Sequence, residues 1–133
     1  MVSMLVSKLK SAAGSPTSKQ SGDAAEDGAL RHLQHAGLRL LERNYRTPGR
    51  GGGEIDLIMR ENDGTTVFVE VRTRKSAGHG GAAASISAVK QGRIVFAARH
   101  YLMRLREPPP CRFDVVVVDG QEVQWLRAAF DAG

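Results

Sequence analysis

The segments GEIDLI (residues 53–58) and VFVEVR (residues 67–72) decide the fold of this chain. Each places a single acid, Asp56 or Glu70, inside an apolar pattern that is typical of a buried strand. A charged side chain is costly to bury unless it is paired or binds a metal, so each acid needs a chemical reason. Whether the two acids can serve one purpose depends on how the two strands pair.

The two segments predict a β-hairpin with strands at 54–60 and 66–74 and a turn at 61–65. If Arg60 pairs with Thr66, the facing pairs that follow are Ile58 with Phe68, Asp56 with Glu70, and Glu54 with Arg72. A three-residue loop keeps this register. A two- or four-residue loop, or a bulge near the site, shifts it and places Asp56 opposite a valine. The five-residue turn therefore predicts that Asp56 and Glu70 face each other.

Two facing carboxylates repel each other unless a proton or a cation lies between them. Charges about 4 Å apart repel by on the order of 1 kcal/mol in water and 4 kcal/mol near a protein surface. Mg²⁺ relieves this repulsion, and it accepts one or two carboxylates together with waters and phosphate oxygens. The alternative is structural, with Asp56 a turn acid at a strand end and Glu70 paired with Arg72 or Arg74. Because one register brings both acids together, we favour the metal site over this structural alternative.

A helix is predicted from Asp23 to Ala36, and it carries a third acid. Asp23 is the expected N-cap, Glu26 follows three positions later as in a capping box, and Gly37 suits the residue after the helix. Glu26 also falls on the apolar face of this helix. It is therefore a capping residue, an acid directed towards the sheet, or both.

The remaining elements follow from periodicity and from helix-breaking residues. They are a strand at 38–46, a flexible glycine-rich loop at 47–53, a mobile loop at 75–84, a helix from Ser85 or Ser87 to Arg106, a central strand at 113–118 and an edge strand at 122–126. The glycine-rich loop is not a nucleotide-binding P-loop, because no GK[ST] follows it and it precedes a strand. Asp114 opens the central strand as a structural hydrogen-bonding acid.

The 133 residues suffice for one domain, which we place at 22–133 behind a flexible tail at 1–21. Nine basic residues and one acid lie between positions 72 and 112, whereas five acids and one base lie between 54 and 70. This asymmetry suits a polyanion that meets a metal site, although a solvated helix face and an acidic hairpin tip explain charge alone more simply. A single cysteine and the lack of any membrane-length apolar run favour a cytoplasmic protein without membrane contact.

At Asp56 and at Glu70-Val71-Arg72 the chain resembles the PD-(D/E)xK, or restriction-endonuclease-like, nuclease superfamily. More closely, it resembles the YraN family of predicted endonuclease-like bacterial proteins. That match also takes in RNYR at 43–46 and RFDVV at 112–116, and it covers roughly residues 22–130. The resemblance implies an α/β restriction-endonuclease-like core, in which helices flank a central mixed β-sheet, as in archaeal Holliday-junction resolvases.

The resemblance also implies a ligand set, in which Glu26, Asp56 and Glu70 bind Mg²⁺ or Mn²⁺. The superfamily usually carries lysine at the position of Arg72. Arginine binds phosphate in a two-pronged fashion but does not readily exchange a proton, so Arg72 favours binding more than cleavage. Lys75 or Lys90 is then the candidate source of an amine.

We expect a metal-dependent nuclease acting on DNA, and the resolvase resemblance suggests branched or structured DNA and allows a homodimer. Its catalytic residues would be Asp56, Glu70 and Arg72. The expected contacts with the nucleic-acid backbone are Arg72, Arg74, Lys75, Lys90 and Arg93. Two alternatives remain open: a nucleic-acid-binding module that has lost cleavage, and an adaptor protein whose acids are structural.

Overall fold

A computed structural model describes residues 18–74 and 86–132 of the chain. Its elements are α1 (Ser18–His35), β1 (Arg39–Arg46), β2 (Glu54–Arg60), β3 (Thr66–Thr73), α2 (Ala88–Leu102), β4 (Cys111–Asp119) and β5 (Glu122–Phe130). Lys75, the loop predicted at 75–84 and most of the predicted tail lie outside the described residues. Within those residues, no helix is long and apolar enough to span a membrane.

The five strands form one mixed sheet in the order β1-β2-β3-β4-β5. Strands β3 and β4 are parallel, because the chain returns through α2 between them, and the other three pairs are antiparallel. This confirms the expected α/β fold with a central mixed sheet flanked by helices. Strand β4 is internal and buried along most of its length, and β5 is an edge strand, both as predicted.

The sheet separates two apolar layers. Helix α1 packs through Ala29 and Leu33 on the face that contains Leu57 and Val69. Helix α2 packs on a cluster that contains Ile58 and Phe68. Since neighbouring strand residues point to opposite faces, the position of Phe68 in this cluster places Glu70 on the α2 side.

The start of α1 differs from the prediction. The structure describes the helix from Ser18 onward, so Asp23 lies inside it as an exposed residue and is not the N-cap. The error has a physical cause: the three-residue spacing of a capping box is also the spacing of neighbours on one helix face. The other end is as predicted, because Gly37 follows the helix with a φ of 100°.

The start of α2 is confirmed and its end is earlier than predicted. Ser87 is the N-cap, and its hydroxyl oxygen accepts a hydrogen bond from the Lys90 N–H at 3.1 Å. The helix ends at Leu102, not at Arg106. Beyond Leu102 the Arg104 N–H donates a hydrogen bond to the Tyr101 carbonyl, as in a 3₁₀ turn. This turn continues the helical spacing of apolar residues a short way past the α-helix.

Candidate metal centre in the hairpin

The hairpin has the predicted register. Arg60 pairs with Thr66, and Ile58 pairs with Phe68. The paired ladder ends at Leu57 and Val69, one pair short of Asp56 and Glu70, so neither Asp56 with Glu70 nor Glu54 with Arg72 forms a backbone pair, contrary to the extension of the register. Beyond this end, the Val71 N–H donates to Asp56 Oδ2 at 2.8 Å. The Asp56 side chain thus continues the pairing where the two backbones separate.

A local distortion of β1 lies beside Asp56. Asn44 has a left-handed backbone, with a φ of 54°, and it sits between the pairs Arg43–Leu57 and Tyr45–Ile55. Regular alternation would place Arg43 and Tyr45 on the same face. Instead, Arg43 contacts α1 and Tyr45 joins the α2 cluster. The sheet therefore changes faces at the position opposite Asp56, which brings groups from both faces close to this carboxylate.

Asp56 and Glu70 form a close pair of carboxylates, of which Glu70 is buried and Asp56 is half-buried. Glu70 is only 5% exposed. Burial, followed by the charge and the side chain of Glu70, raises the pKa of Asp56 from 3.8 to about 7. At neutral pH the Asp56 carboxyl is therefore partly protonated, which lessens the repulsion of the pair. A bound cation would relieve the same repulsion without that proton.

Lys90 places a positive charge beside this pair. Its Nζ lies 3.6 Å from Glu70 Oε2, which is within ion-pair distance but too long for a direct hydrogen bond. The Ser87 cap holds the first turn of α2, and Lys90 projects from that turn. Its positive charge also lowers the pKa of Asp56, which partly offsets burial. Sequence reasoning named Lys90, but did not determine that it reaches Glu70.

Glu26 lies on the α1 side of the distortion, where Arg43 holds it. Arg43 Nε lies 3.2 Å from Glu26 Oε1, and Arg43 Nη2 lies 2.7 Å from Asp27 Oδ1. Burial raises the pKa of Glu26, and the charge of Asp56 raises it further, so the two acids interact electrostatically. Within residues 18–74 and 86–132, however, no three acidic, histidine or cysteine side chains are grouped closely enough to hold a metal. A role for Glu26 as a third ligand remains a prediction.

The other predicted nucleic-acid contacts are dispersed around this pair. Arg72 is partly buried in β3, and Arg74 is exposed just after that strand. Arg93 is exposed on α2, one helical turn beyond Lys90. Lys75 lies outside the described residues. Within the predicted set, Lys90 forms an ion pair with Glu70, which joins α2 to the carboxylates.

The donor set suits a hard dication. The buried Glu70 carboxylate and the half-buried Asp56 carboxylate repel each other, and Lys90 forms an ion pair with Glu70. Asp56 and Glu70 are the residues that would hold Mg²⁺ or Mn²⁺, which binds to proteins through one or two carboxylates and leaves further positions for water and phosphate oxygens. The charge of Lys90 suits a phosphate in those remaining positions.

The other buried acid, Asp114, has a structural role, as predicted. It is fully buried and accepts hydrogen bonds from Arg112 Nε at 3.0 Å, Trp125 Nε1 at 2.8 Å and the Ala128 N–H at 2.9 Å. These donors satisfy its carboxylate on both oxygens. Asp114 therefore fixes β5 against β4 and does not contribute to the carboxylate pair.

The fold and this site define a class: α/β proteins with a five-stranded mixed sheet and a buried carboxylate pair where a hairpin opens. The profile of the Uncharacterised protein family UPF0102 matches residues 25–118. The chain belongs to this family.

Similar relatives cover nearly all of the chain. The UPF0102 protein of Albidiferax ferrireducens is 74% identical over 129 residues, which span 97% of this chain and 99% of that protein. The UPF0102 protein of Paracidovorax citrulli is 70% identical over 92% of this chain and 90% of its own length. The UPF0102 protein of Cupriavidus taiwanensis is 56% identical over 88% and 87%, respectively.

Proposed function

We propose that this protein is a metal-dependent nuclease that hydrolyses phosphodiester bonds in DNA. The observation that carries the proposal is the buried Asp56–Glu70 pair with Lys90 beside it. Two acids and a lysine are the functional groups of the PD-(D/E)xK nucleases that the hairpin sequence resembles. In this chain the amine comes from α2, whereas the superfamily usually provides it two residues after the second acid.

Each residue has a distinct role in this proposal. Asp56 and Glu70 hold the cation, which when bound supplies positive charge to the phosphate and favours ionisation of an attacking water. Lys90 stabilises negative charge that develops on the phosphate and donates hydrogen bonds to it. Arg72 binds a phosphate oxygen in the two-pronged manner of a guanidinium. Glu26 joins the ligands only if its carboxylate leaves Arg43.

A second candidate function is nucleic-acid binding without cleavage. The feature that favours it is Arg72, which occupies the usual lysine position and does not exchange protons readily. In this case Lys90 serves only to neutralise Glu70, with which it forms an ion pair. The two functions share a phosphate-binding surface and differ in whether Lys90 takes part in chemistry.

Cleavage assays on labelled linear, single-stranded and four-way-junction DNA test both functions, with Mg²⁺ or Mn²⁺ and with chelator. We expect Asp56→Asn and Glu70→Gln to abolish cleavage. Lys90→Met should lower the rate by roughly 10²–10⁴-fold, as expected for loss of a group that transfers a proton or stabilises charge. The matched controls are Lys19→Met and Glu122→Gln, which alter exposed residues elsewhere.

Three outcomes separate the alternatives. Metal-dependent cleavage that is lost in the Asp56 and Glu70 variants but kept in the controls supports the nuclease. Binding without cleavage, with cleavage restored by Arg72→Lys, supports the binding module. If the wild-type protein has no nucleic-acid affinity even at low salt, both functions are excluded.

A further inference from the structure

A polar cleft adjoins the carboxylate pair, between the loop that connects β1 to β2 and the first turns of α2. It has a volume of about 300 Å³. Its lining consists of Arg46, Thr47, Gly49, Gly51, Gly52, Gly53, Glu54, Lys90 and Arg93. Most of one wall is therefore glycine backbone, and the other wall is the basic side of a helix.

Two of the loop glycines are required by close packing. A Cβ on Gly53 would lie 1.9 Å from the Arg93 carbonyl oxygen, so α2 packs directly on the loop backbone. A Cβ on Gly52 would lie 2.1 Å from the Thr47 hydroxyl oxygen. Thr47 also bonds the loop across its base, since its hydroxyl accepts from the Gly53 N–H at 2.8 Å. The Gly53 contact therefore holds the loop against α2, and the Thr47 contacts close the loop at its base.

Two further glycines are required by the backbone conformation. Gly49 has a φ of 86° and Gly51 a φ of 70°, a region that side chains with a Cβ rarely adopt. A Cβ at either position would meet no atom within 4 Å, so open space lies beside both residues. The cleft thus has a wall of backbone peptide groups, which a ligand can approach closely.

The charges in the cleft favour an anion. Three cations, Arg46, Lys90 and Arg93, line it together with one acid, Glu54. Arg46 Nε is paired with Glu54 Oε2 at 3.0 Å, and Lys90 with Glu70. Within the part of the chain that the structure describes, the exposed Arg93 guanidinium forms no ion pair. Its charge is therefore available to a phosphate at the mouth of the cleft.

We propose that this cleft binds the phosphodiester group next to the cleaved bond, with Arg93 and the glycine-loop backbone as its contacts. Lys90 lines the cleft and also pairs with Glu70, so the two sites are contiguous and one nucleic-acid strand can occupy both. The adjacency to a cleaved bond rests on the proposed function. Binding of the strand's phosphate in the cleft does not, because it requires no metal.

The test is binding of a fluorescently labelled single-stranded oligodeoxynucleotide, measured by anisotropy in chelator at several salt concentrations. Arg93→Gln removes the proposed contact. Arg99→Gln is the matched control, because Arg99 is also exposed on α2, lies outside the cleft and lines a different surface near Phe96. One lost phosphate contact should weaken binding by about fivefold at 0.1 M salt and lower the salt slope by about 0.7, the value for a single strand.

The outcomes separate this inference from the proposed nuclease. Weaker binding and a smaller salt slope in Arg93→Gln but not in Arg99→Gln support the cleft, even if no cleavage is detected with metal. Equal effects of the two substitutions, or no effect of Arg93→Gln, overturn the cleft, even if the wild-type protein cleaves DNA. Absence of oligonucleotide binding by the wild-type protein in chelator overturns it as well.

Discussion

Replacing Asp56 with asparagine should stabilise the metal-free protein at pH 8. Asparagine has the shape of aspartate, keeps an oxygen that can accept the Val71 N–H, and provides an amide that can donate to Glu70. What it removes is the negative charge that burial and Glu70 oppose. Proteins commonly sacrifice stability at sites that hold charges for function, so this substitution should exchange activity for stability.

The sign and size follow from the raised pKa. The pKa of Asp56 is about 7 in the folded protein against an ordinary value of 3.8. The protonated carboxyl therefore favours folding fully below pH 3.8, and this stabilisation is lost as the pH rises through about 7. Between pH 5 and pH 8 the wild-type protein should lose about 2.5 kcal/mol relative to the asparagine variant, at about 1.36 kcal/mol per pKa unit.

The assay is urea unfolding of both proteins at pH 5 and pH 8 in chelator, followed through the fluorescence of Trp125, the only tryptophan. Comparing the variant with the wild type at each pH cancels the titration of other groups. Asp131→Asn, at an exposed position, is the control and should show no such change. The reasoning is refuted if Asp56→Asn destabilises the protein equally at both pH values, since the carboxylate would then be a net stabilising structural group.

A metal should reverse the destabilisation at pH 8. A cation present at one hundred times its Kd stabilises the protein that binds it by about 2.7 kcal/mol. We expect Mg²⁺ or Mn²⁺ to raise the free energy of unfolding of the wild-type protein and to have a smaller effect on Asp56→Asn. Equal stabilisation of both proteins would show that the cation binds elsewhere.

Two further predictions concern the frame of the site, and both are checked by thermal unfolding followed by circular dichroism. Gly53→Ala should destabilise the protein by about 1–3 kcal/mol, because the new Cβ would overlap the Arg93 carbonyl. The control is Gly92→Ala in α2, where a Cβ would meet open space, and it should stabilise the protein by up to about 1 kcal/mol. Similar effects of the two substitutions would exclude close packing as the cause. Asp114→Ala should lower the free energy of unfolding by about 3–5 kcal/mol, because it leaves buried donors without their acceptor, and it should alter the fluorescence of Trp125. A decrease below 1 kcal/mol would contradict the structural role of Asp114.

Local patterns in the sequence predicted the parts of the fold that depend on neighbouring residues. The hairpin register follows from the five-residue turn and the alternation of apolar residues on both sides of it. The cap at Ser87 likewise depends on an interaction with Lys90, only three residues away. The predicted start of α1 was wrong because the three-residue spacing of Asp23 and Glu26 occurs both in a capping box at a helix end and between neighbours within a helix.

The candidate site was predictable only in part. The sequence brought Asp56 and Glu70 together because both lie on one hairpin. It did not predict the change of faces at Asn44, which depends on a left-handed backbone that asparagine tolerates but does not require. The one available signal was the asparagine itself, in the middle of a predicted strand, where that residue is uncommon.

The sequence by itself determined that two acids meet in a buried hairpin, because strand alternation and turn length are local properties. Tertiary structure alone decided which cation reaches that pair and which acid is held away from it. Lys90 approaches Glu70 because α2, which connects β3 to β4, packs on the face of the sheet that carries Glu70. Arg43 holds Glu26 because Arg43 pairs with Leu57, on the face of the sheet that α1 covers. Such contacts join residues that are distant in the chain. They depend on how helices pack on a completed sheet, which local periodicity does not specify.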